Sequence, residues 1–375
     1  MSIPAPVDDA LARIAWAASS MPVLEHALAG LCSVDGVAIT LALPVEPKLA
    51  ALALRLHAVG AEVAVLGRAT STDATLSEVA LTEAALSEAT LFEALRQAGV
   101  SVHTRLEECA SGYILGATAE MLPGQKGATM QGQPPVEPPG EPPVPVIDLS
   151  GSALLALAED HIGIGQASVM AFLDITNLQL AGRRVVVCGY DGAGQSVAAH
   201  VAAFGGRVTV VETDPLRAAQ ALMAGFSVAA FATVLPRAEV VFVTSNGPIL
   251  GARQAPYLAD GTLLCAAGPD AAISADLLAC ARNRRDIRAF VTEFDLPNAQ
   301  AVKVIAQGRP VHLAEGQGLP IEASDIVLAL HIKGLDQLLR GGLVAGGPHG
   351  LAPEAEAELA GVKVIAMGAR LEAKG

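Results

Sequence analysis

A glycine-rich turn at residues 189–194 carries the clearest chemical signal in the sequence, Gly-Tyr-Asp-Gly-Ala-Gly. It follows an apolar run at 184–188 and opens a stretch of helical pattern. The next apolar run ends at Glu212, 18 residues after Gly194, and Asp214 follows it closely. A tight glycine turn, a helix N-terminus and a carboxylate at this spacing bind the pyrophosphate and ribose hydroxyls of a dinucleotide. The carboxylate favours NAD over NADP, so we predict NAD as the cofactor.

Asp191 departs from the usual pattern, because it stands where the second glycine of G-x-G-x-x-G is expected, and Gly192 follows it. That glycine normally lets the backbone approach the pyrophosphate closely. Either the Asp191 carboxylate lies near the pyrophosphate and weakens its binding, or the turn is shifted and Asp191 points to solvent. An α/β domain that has lost its nucleotide is the remaining alternative. The predicted cofactor-binding residues are Gly189, Asp191, Gly192, Ala193, Gly194, Glu212, Asp214, Thr244 and Ser245.

Three consecutive residues, Glu159, Asp160 and His161, are the main candidates for proton transfer. A carboxylate beside an imidazole can serve as an acid or a base near neutral pH. A solvated turn of helix accounts for the same three residue types equally well. We therefore carry these residues forward as catalytic candidates, with the solvated turn as the alternative.

Three further catalytic candidates lie elsewhere in the chain. His331 and Lys333 fall on a helical pattern at 326–339. Since they are two positions apart, they point to different faces of that helix, and only one of them can reach a bound ligand. Glu46 lies just past the first predicted strand, at the carboxyl end where open α/β sheets bind ligands. A surface ion pair with Lys48 is the alternative role for Glu46.

Composition limits the partners and the location of the protein. The 375 residues are 52% hydrophobic and 17% charged, which is enough for two cores. A net charge of −14 repels phosphate backbones and anionic lipid, so we predict neither a nucleic-acid nor a membrane partner. The N-terminus carries Asp8 and Asp9 where a signal peptide needs positive charge, which predicts a cytoplasmic protein. Scattered histidines and five cysteines without a CxxC motif predict no metal site.

The first 150 residues alternate between helical and strand patterns. The predicted elements are helices at 10–30 and 49–60, with strands at 37–43, 62–66 and 100–103. A five-residue repeat at 74–93 predicts an Ala/Leu/Glu helix in preference to one coil of a β-helix. The segment 122–146, with seven prolines between Pro134 and Pro145, predicts a linker or surface loop without a helix or central strand.

A second alternating series follows a helical stretch at 153–178. Its predicted elements are strands at 184–188, 207–212, 240–244 and 262–265, with helices at 194–205 and 215–225. This alternation predicts an α/β protein with a Rossmann-type doubly wound parallel sheet. We assign that Rossmann domain to 182–322. A second α/β domain, of substrate-binding type, takes 1–181 and is completed by 323–375.

Several sequence blocks resemble the S-adenosylhomocysteine hydrolase (adenosylhomocysteinase) family. In the second series the similar blocks are 180–190, 211–226, 241–247 and 313–316. In the front half they are 12–21, 60–63, 71–73, 95–100 and 162–166. The resemblance covers most of the chain and is most specific between residues 180 and 250. It implies an NAD domain, a nucleoside-like small-molecule substrate and a homo-oligomer, either a dimer or a tetramer.

The family reaction oxidises the 3′-hydroxyl of a nucleoside with bound NAD, so that the C4′ proton becomes acidic and the 5′-thiol can leave. Water then adds and the carbonyl is reduced. This cycle uses a lysine, an aspartate and several histidines. The positions to which the resemblance assigns such groups hold Ala42, Glu159, Gln254 and Pro269, and the lysine position falls near Leu155. The ordinary hydrolase activity is therefore not expected.

Two classes of function remain open. The first is a divergent enzyme that acts on a nucleoside or related small metabolite by NAD-linked redox, elimination or isomerisation. The second is a non-catalytic or regulatory paralogue that works as a partner subunit. Glu212 and the glycine turn favour the enzyme, whereas the missing lysine and histidines favour the paralogue.

Overall fold

The computed structural model divides the chain into two compact units. One comprises Met1–Ala158 with Ile321–Gly375, and the other comprises Glu159–Pro320. The structure describes residues 6–67, 83–110, 112–116, 124–131, 143–244, 247, 249–268, 271–298, 300–314, 317–344 and 348–369. Ser245 and Pro269 lie outside these residues, as do 74–82 of the five-residue repeat.

The strands, in chain order, are β1 (Ala38–Leu41), β2 (Glu62–Leu66), β3 (Ser101–His103), β4 (Tyr113–Leu115), β5 (Gly127–Met130), β6 (Val146–Asp148), β7 (Arg184–Cys188), β8 (Arg207–Val211), β9 (Ser227–Val228), β10 (Val240–Val243), β11 (Leu263–Ala266), β12 (Asn283–Arg288), β13 (Val291–Asp295), β14 (Ala301–Ile305) and β15 (Pro348–Gly350). The α-helices are α1 (Pro6–Ala18), α2 (Pro22–Ala29), α3 (Pro47–Ala58), α4 (Glu83–Gln97), α5 (Ala153–Ala158), α6 (Ile164–Thr176), α7 (Gly192–Ala203), α8 (Pro215–Met223), α9 (Phe231–Val234), α10 (Ala275–Ala279), α11 (Val311–Ala314), α12 (Ile321–Arg340) and α13 (Pro353–Ala366). A π-helical turn, Glu159–Gly163, lies between α5 and α6. No helix among the described residues is long and apolar enough to cross a membrane.

The first unit is built on a parallel sheet in the order β15-β6-β5-β4-β1-β2-β3. Its strands are short and apolar, and residues such as Ile39, Leu41 and Ile114 are completely or almost completely buried. Helix α12 packs against β5, where a Cβ on Gly334 would lie 2.7 Å from Thr129 Cγ2. The close approach of helix and strand therefore requires a glycine at position 334.

Two predictions for the first unit are wrong. The predicted helix at 10–30 is two helices, because Pro22 cannot continue α1 and instead begins α2. The segment 122–146 was predicted to hold no central strand, yet β5 lies within it, between β4 and β6. All four residues of β5 are buried and precede the cluster of seven prolines, so their backbone N–H groups remain available for pairing.

The second unit contains an eight-stranded sheet in the order β12-β13-β14-β11-β10-β7-β8-β9. The strands from β14 to β9 pair in parallel, whereas β12 and β13 form an antiparallel edge. Its core includes an edge-to-face contact between Phe172 and Phe242, whose ring centroids lie 5.4 Å apart. The prediction of an α/β protein with a Rossmann-type parallel sheet and a second α/β domain is confirmed. The antiparallel edge was missed, because all six residues of β12 are exposed and lack an apolar alternation.

The units meet in the sequence at residues 158 and 321, whereas the predicted boundaries were 181 and 323. Helix α6 therefore groups with the second unit. Gly165 and Ser196 allow it to lie close to α7, since a Cβ on Gly165 would overlap the side chain and backbone of Ser196. The buried residues Val169 and Phe172 on α6 complete this contact with the core of the sheet.

Candidate functional site

The glycine turn after β7 is held tightly by neighbouring backbone. Gly189 has a φ of +102°, and a Cβ there would collide with Thr244 Oγ1 and lie 2.6 Å from the Cα of Gly247. The Thr244 hydroxyl donates a hydrogen bond to the Cys188 carbonyl at 3.0 Å. Thr244 thus fixes the end of β7 from the neighbouring strand β10, and only glycine suits position 189.

Asp191 is the N-cap of α7. Its Oδ1 accepts a hydrogen bond from the Gly194 amide at 3.0 Å. The carboxylate is bound to the helix N-terminus, so it does not point to solvent as one of the two alternatives from the sequence proposed. It lies at the end of the helix where an anionic ligand would bind.

Glu212 ties the end of β8 to the glycine turn. Its Oε2 accepts from the Tyr190 amide at 2.9 Å, and its Oε1 accepts from the amides of Thr213 and Asp214 at 2.6 and 2.9 Å. Asp214 instead caps α8, with Oδ1 accepting from the Arg217 amide at 2.8 Å. Of the two predicted acids, Glu212 lies at the turn, whereas the Asp214 carboxylate is directed to another helix.

The candidate acid–base residues lie beside the same turn. Glu159, Asp160 and His161 belong to the π-helical turn, a form often found at functional sites. A Cβ on Gly192 would be 2.6 Å from the Cβ of Asp160 and 3.6 Å from Cε1 of His161. The Ser196 hydroxyl fixes this turn by donating to the Ile162 carbonyl at 3.2 Å. The structure therefore brings two of the three predicted proton-transfer residues, Asp160 and His161, to the first residue of α7.

The carboxylates of this cluster hold their protons more tightly than usual. Burial, and then the neighbouring charge of Asp160, raise the pKa of Glu159 to about 7. Burial and then the charge of Asp191 also raise the pKa of Asp160, and the nearby His161 opposes this. Near neutral pH Glu159 is therefore present in both protonation states, as a general acid or base requires.

In the first unit, Glu46 and Lys48 form an ion pair, with Oε2 and Nζ 2.5 Å apart. The Lys48 side chain is only 5% exposed. The ion pair that was the alternative role for Glu46 is thus present at the start of α3, with a buried lysine and a glutamate that is 21% exposed.

His331 is completely buried on α12. Its Nδ1 lies 2.6 Å from Thr129 Oγ1, and its Nε2 lies 3.4 Å from the Gln131 amide nitrogen. Burial lowers the pKa of His331 to about 4, so the imidazole is neutral at pH 7. Lys333 instead pairs with Glu358 at 2.8 Å. The two side chains take different partners, as their spacing indicated.

Some residues that shape the sites gave no signal in the sequence. Asp325 is completely buried and accepts from the amides of Val23 and Leu24, about 300 positions away, at 3.3 and 2.7 Å. Ser196 and Thr129 are equally inconspicuous. Within the described part of the chain, no group of three or more His, Cys, Asp or Glu side chains could hold a metal ion.

Residues 163–318 match the family domain described as "S-adenosyl-L-homocysteine hydrolase, NAD binding domain". The adenosylhomocysteinase of Thermococcus kodakarensis is 30% identical over 402 residues, which cover 96% of this chain and 91% of that protein. The chain belongs to the S-adenosylhomocysteine hydrolase family. The resemblance drawn from the sequence blocks is confirmed, and the matched NAD-binding domain agrees with the predicted cofactor.

Two other relatives show how the family resemblance is distributed. The adenosylhomocysteinase of Nostoc sp. is 30% identical over 228 residues, which cover 60% of this chain and 54% of that relative. The S-inosyl-L-homocysteine hydrolase of Methanopyrus kandleri is 30% identical over 276 residues, or 72% of this chain and 64% of that protein. The chain thus spans only about half of the Nostoc enzyme.

The donor set of the second unit fits NAD at its ribose end. The Glu212 carboxylate lies beside the turn, held by three backbone amides. The first amides of α7 face the position of a pyrophosphate. Here, however, the Gly194 amide already donates to Asp191, and Asp160 lies against Gly192. The residues that would hold NAD therefore include two carboxylates at the phosphate end.

Proposed function

We propose that the protein is an NAD-binding enzyme that acts on a nucleoside or related small metabolite by redox, elimination or isomerisation. The observation that carries this proposal is the position of Asp160 against Gly192 at the dinucleotide turn, with Glu159 beside it in the same π-helical turn. A titrating carboxylate at this place can move a proton while a bound cofactor is used.

NAD supplies the hydride acceptor when it is bound. The chain's own groups have the other tasks. The Glu212 carboxylate accepts from cofactor ribose hydroxyls, and Glu159 takes up or releases a proton at its carboxyl oxygens. The buried glycine turn, fixed by Thr244, keeps the cofactor site rigid.

Ordinary adenosylhomocysteine hydrolysis is not part of the proposal. The resemblance puts the family lysine near Leu155, which is apolar. The position of one family histidine holds Gln254, whose Oε1 accepts from the Gly251 amide at 3.1 Å. Neither side chain can transfer a proton near pH 7.

The substrate class follows from the family and from its variety. Relatives named for adenosyl and for S-inosyl thioethers share about 30% identity with this chain. A nucleoside-like small molecule is thus the substrate we propose. The proposal also includes a cytoplasmic location. It further includes a homodimer or homotetramer, and sedimentation of the purified protein tests this oligomeric state.

A non-catalytic paralogue that acts as a partner subunit is the second candidate. The missing lysine favours it, since the resemblance puts the lysine of the reaction near the apolar residue Leu155. In that case the fold and the nucleotide would serve assembly with a partner subunit. The protein would catalyse no turnover, and Glu159 would have no catalytic role.

One experiment separates the two candidates. Purified protein is denatured and the supernatant is analysed for NAD. The native protein is then mixed with adenosine, S-adenosylhomocysteine and S-inosylhomocysteine while the near-ultraviolet absorbance of reduced nicotinamide is followed. An enzyme gives bound NAD and an absorbance change that Glu159→Gln slows and Asp174→Asn, an exposed control on α6, does not. Bound NAD without any absorbance change supports the paralogue.

A further inference from the structure

Two carboxylates lie at the N-terminus of α7, and a third, Glu159, is close enough to Asp160 to be affected by its charge. Asp191 caps the helix through the Gly194 amide at 3.0 Å. Asp160 lies over Gly192, where its Cγ would be 3.5 Å from a Cβ at that position. Glu159 is the adjacent residue of the same π-helical turn. In the fold class of this unit, the same helix N-terminus receives the pyrophosphate of a dinucleotide.

We propose that NAD binding is coupled to the uptake of a proton by Glu159 and Asp160, in the carboxylate cluster that they form with Asp191. This inference rests on the proposed function, because it requires NAD to bind at the glycine turn. A pyrophosphate brings two negative charges to a site that already holds this cluster. Like charges at close range in a partly buried site repel strongly, and protonation of one carboxylate relieves that repulsion.

The charged groups within the second unit that face the cluster are few. Glu159 and Asp191 belong to the cluster itself and act on Asp160 or are acted on by it. The other charged groups are His161 on the π-helical turn and the positive N-terminal end of α7. His200, further along α7, donates within its own helix, from Nδ1 to the Ser196 carbonyl oxygen at 2.8 Å. On α6, Asp174 is exposed near the far end of the helix. The net charge of the groups at the cluster is therefore negative.

The direction of the effect follows from the protonation equilibria. Burial and Asp160 already raise the pKa of Glu159 to about 7, and a bound pyrophosphate raises the pKa further. Above that pH the free protein has released a proton that the NAD complex retains. NAD affinity therefore falls as the pH rises above about 7, with a limit of about tenfold per pH unit for one linked proton.

Titration calorimetry measures the proton directly. NAD is titrated into nucleotide-free protein at pH 7.5 in PIPES, HEPES and Tris, whose ionisation enthalpies differ. The slope of the observed enthalpy against the buffer enthalpy gives the number of protons taken up. We expect about half a proton or more for the natural protein, a value near zero for Glu159→Gln, a reduced value for Asp160→Asn, and an unchanged value for Asp174→Asn.

The outcomes are distinguishable. Binding with a slope of zero in the natural protein overturns the proton coupling and leaves the NAD assignment intact. Absence of binding, checked by equilibrium dialysis, overturns both. A slope that persists in Glu159→Gln and Asp160→Asn also overturns the assignment of the proton to this cluster.

Discussion

The side chain of Asp160 lies against the backbone of Gly192, so closely that a Cβ on Gly192 would be 2.6 Å from the Cβ of Asp160. This contact joins the π-helical turn to the first residue of α7. It places a carboxylate with a raised pKa at the dinucleotide turn. Asp160 and the first residue of α7 therefore lie against each other within the second unit.

Gly192→Ala should displace the π-helical turn. The added methyl group collides with Asp160, and overpacking of this kind costs about 1–3 kcal/mol of stability. Thermal unfolding should show a lower melting temperature, and NAD titration should show a lower affinity for NAD. Gly361→Ala on α13 is the control, since a Cβ there meets nothing within 4 Å and a helical alanine is preferred to glycine. An unchanged Gly192→Ala protein would show that the contact is easily relaxed.

Two substitutions at Asp191 separate its cap from its charge. Asp191→Asn keeps an oxygen for the Gly194 amide, so stability should change little, while loss of the charge tightens NAD binding by up to about a hundredfold. Asp191→Ala removes the cap as well and should cost about 1 kcal/mol of stability. Chemical denaturation and calorimetry measure the two effects. Equal stability of the two variants would contradict the capping role.

Glu212→Ala should weaken NAD binding by about 1–3 kcal/mol, because the ribose hydroxyls lose their acceptor and three backbone amides lose theirs. The dissociation constant of NAD measures this loss. Glu239→Ala serves as the control, since Glu239 pairs with Arg183 and Arg184 before β10, at the opposite end of the strands from the turn. Equal NAD affinity in the Glu212 and Glu239 variants would place the ribose elsewhere.

His331 should make the protein less stable as the pH falls. Burial lowers its pKa from 6.5 to about 4, so between these values the unfolded chain binds a proton that the folded chain does not. The full loss is about 3 kcal/mol, complete near pH 4. Buried Asp325, whose pKa burial raises to about 6, acts in the opposite direction. The effect of His331 is therefore measured as the difference in the free energy of unfolding between the natural protein and His331→Gln.

Denaturation of both proteins at pH 7 and pH 5 provides this difference. The natural protein should lose stability relative to His331→Gln at the lower pH. His57→Gln, at an exposed residue of α3, is the control and should follow the natural protein. A constant difference between the natural protein and His331→Gln at both pH values would mean that the imidazole is accessible to protons.

The glycine turn and its carboxylate could be predicted from the sequence because their spacing is local. A strand, a turn, a helix and Glu212 follow one another within 29 residues, from 184 to 212. The capping bond of Asp191 was missed although the residue type favours an N-cap, because the dinucleotide pattern assigned that position to a glycine.

Other features depend on contacts that spacing does not encode. Strand β5 was hidden in a proline-rich segment, and its place in the sheet depends on pairing with β4 and β6. The assignment of α6 to the second unit depends on Gly165 meeting Ser196, two small residues without a sequence signal of their own. The buried state of His331 likewise follows from Thr129, some 200 residues earlier.

Titration of NAD into the natural protein and into Asp191→Gly shows whether the glycine turn holds the cofactor. We expect saturable binding to both, tighter in the variant, because the carboxylate at the phosphate end is removed while the Glu212 contacts remain. Absence of NAD binding in both proteins would mean that the family fold carries no cofactor in this chain.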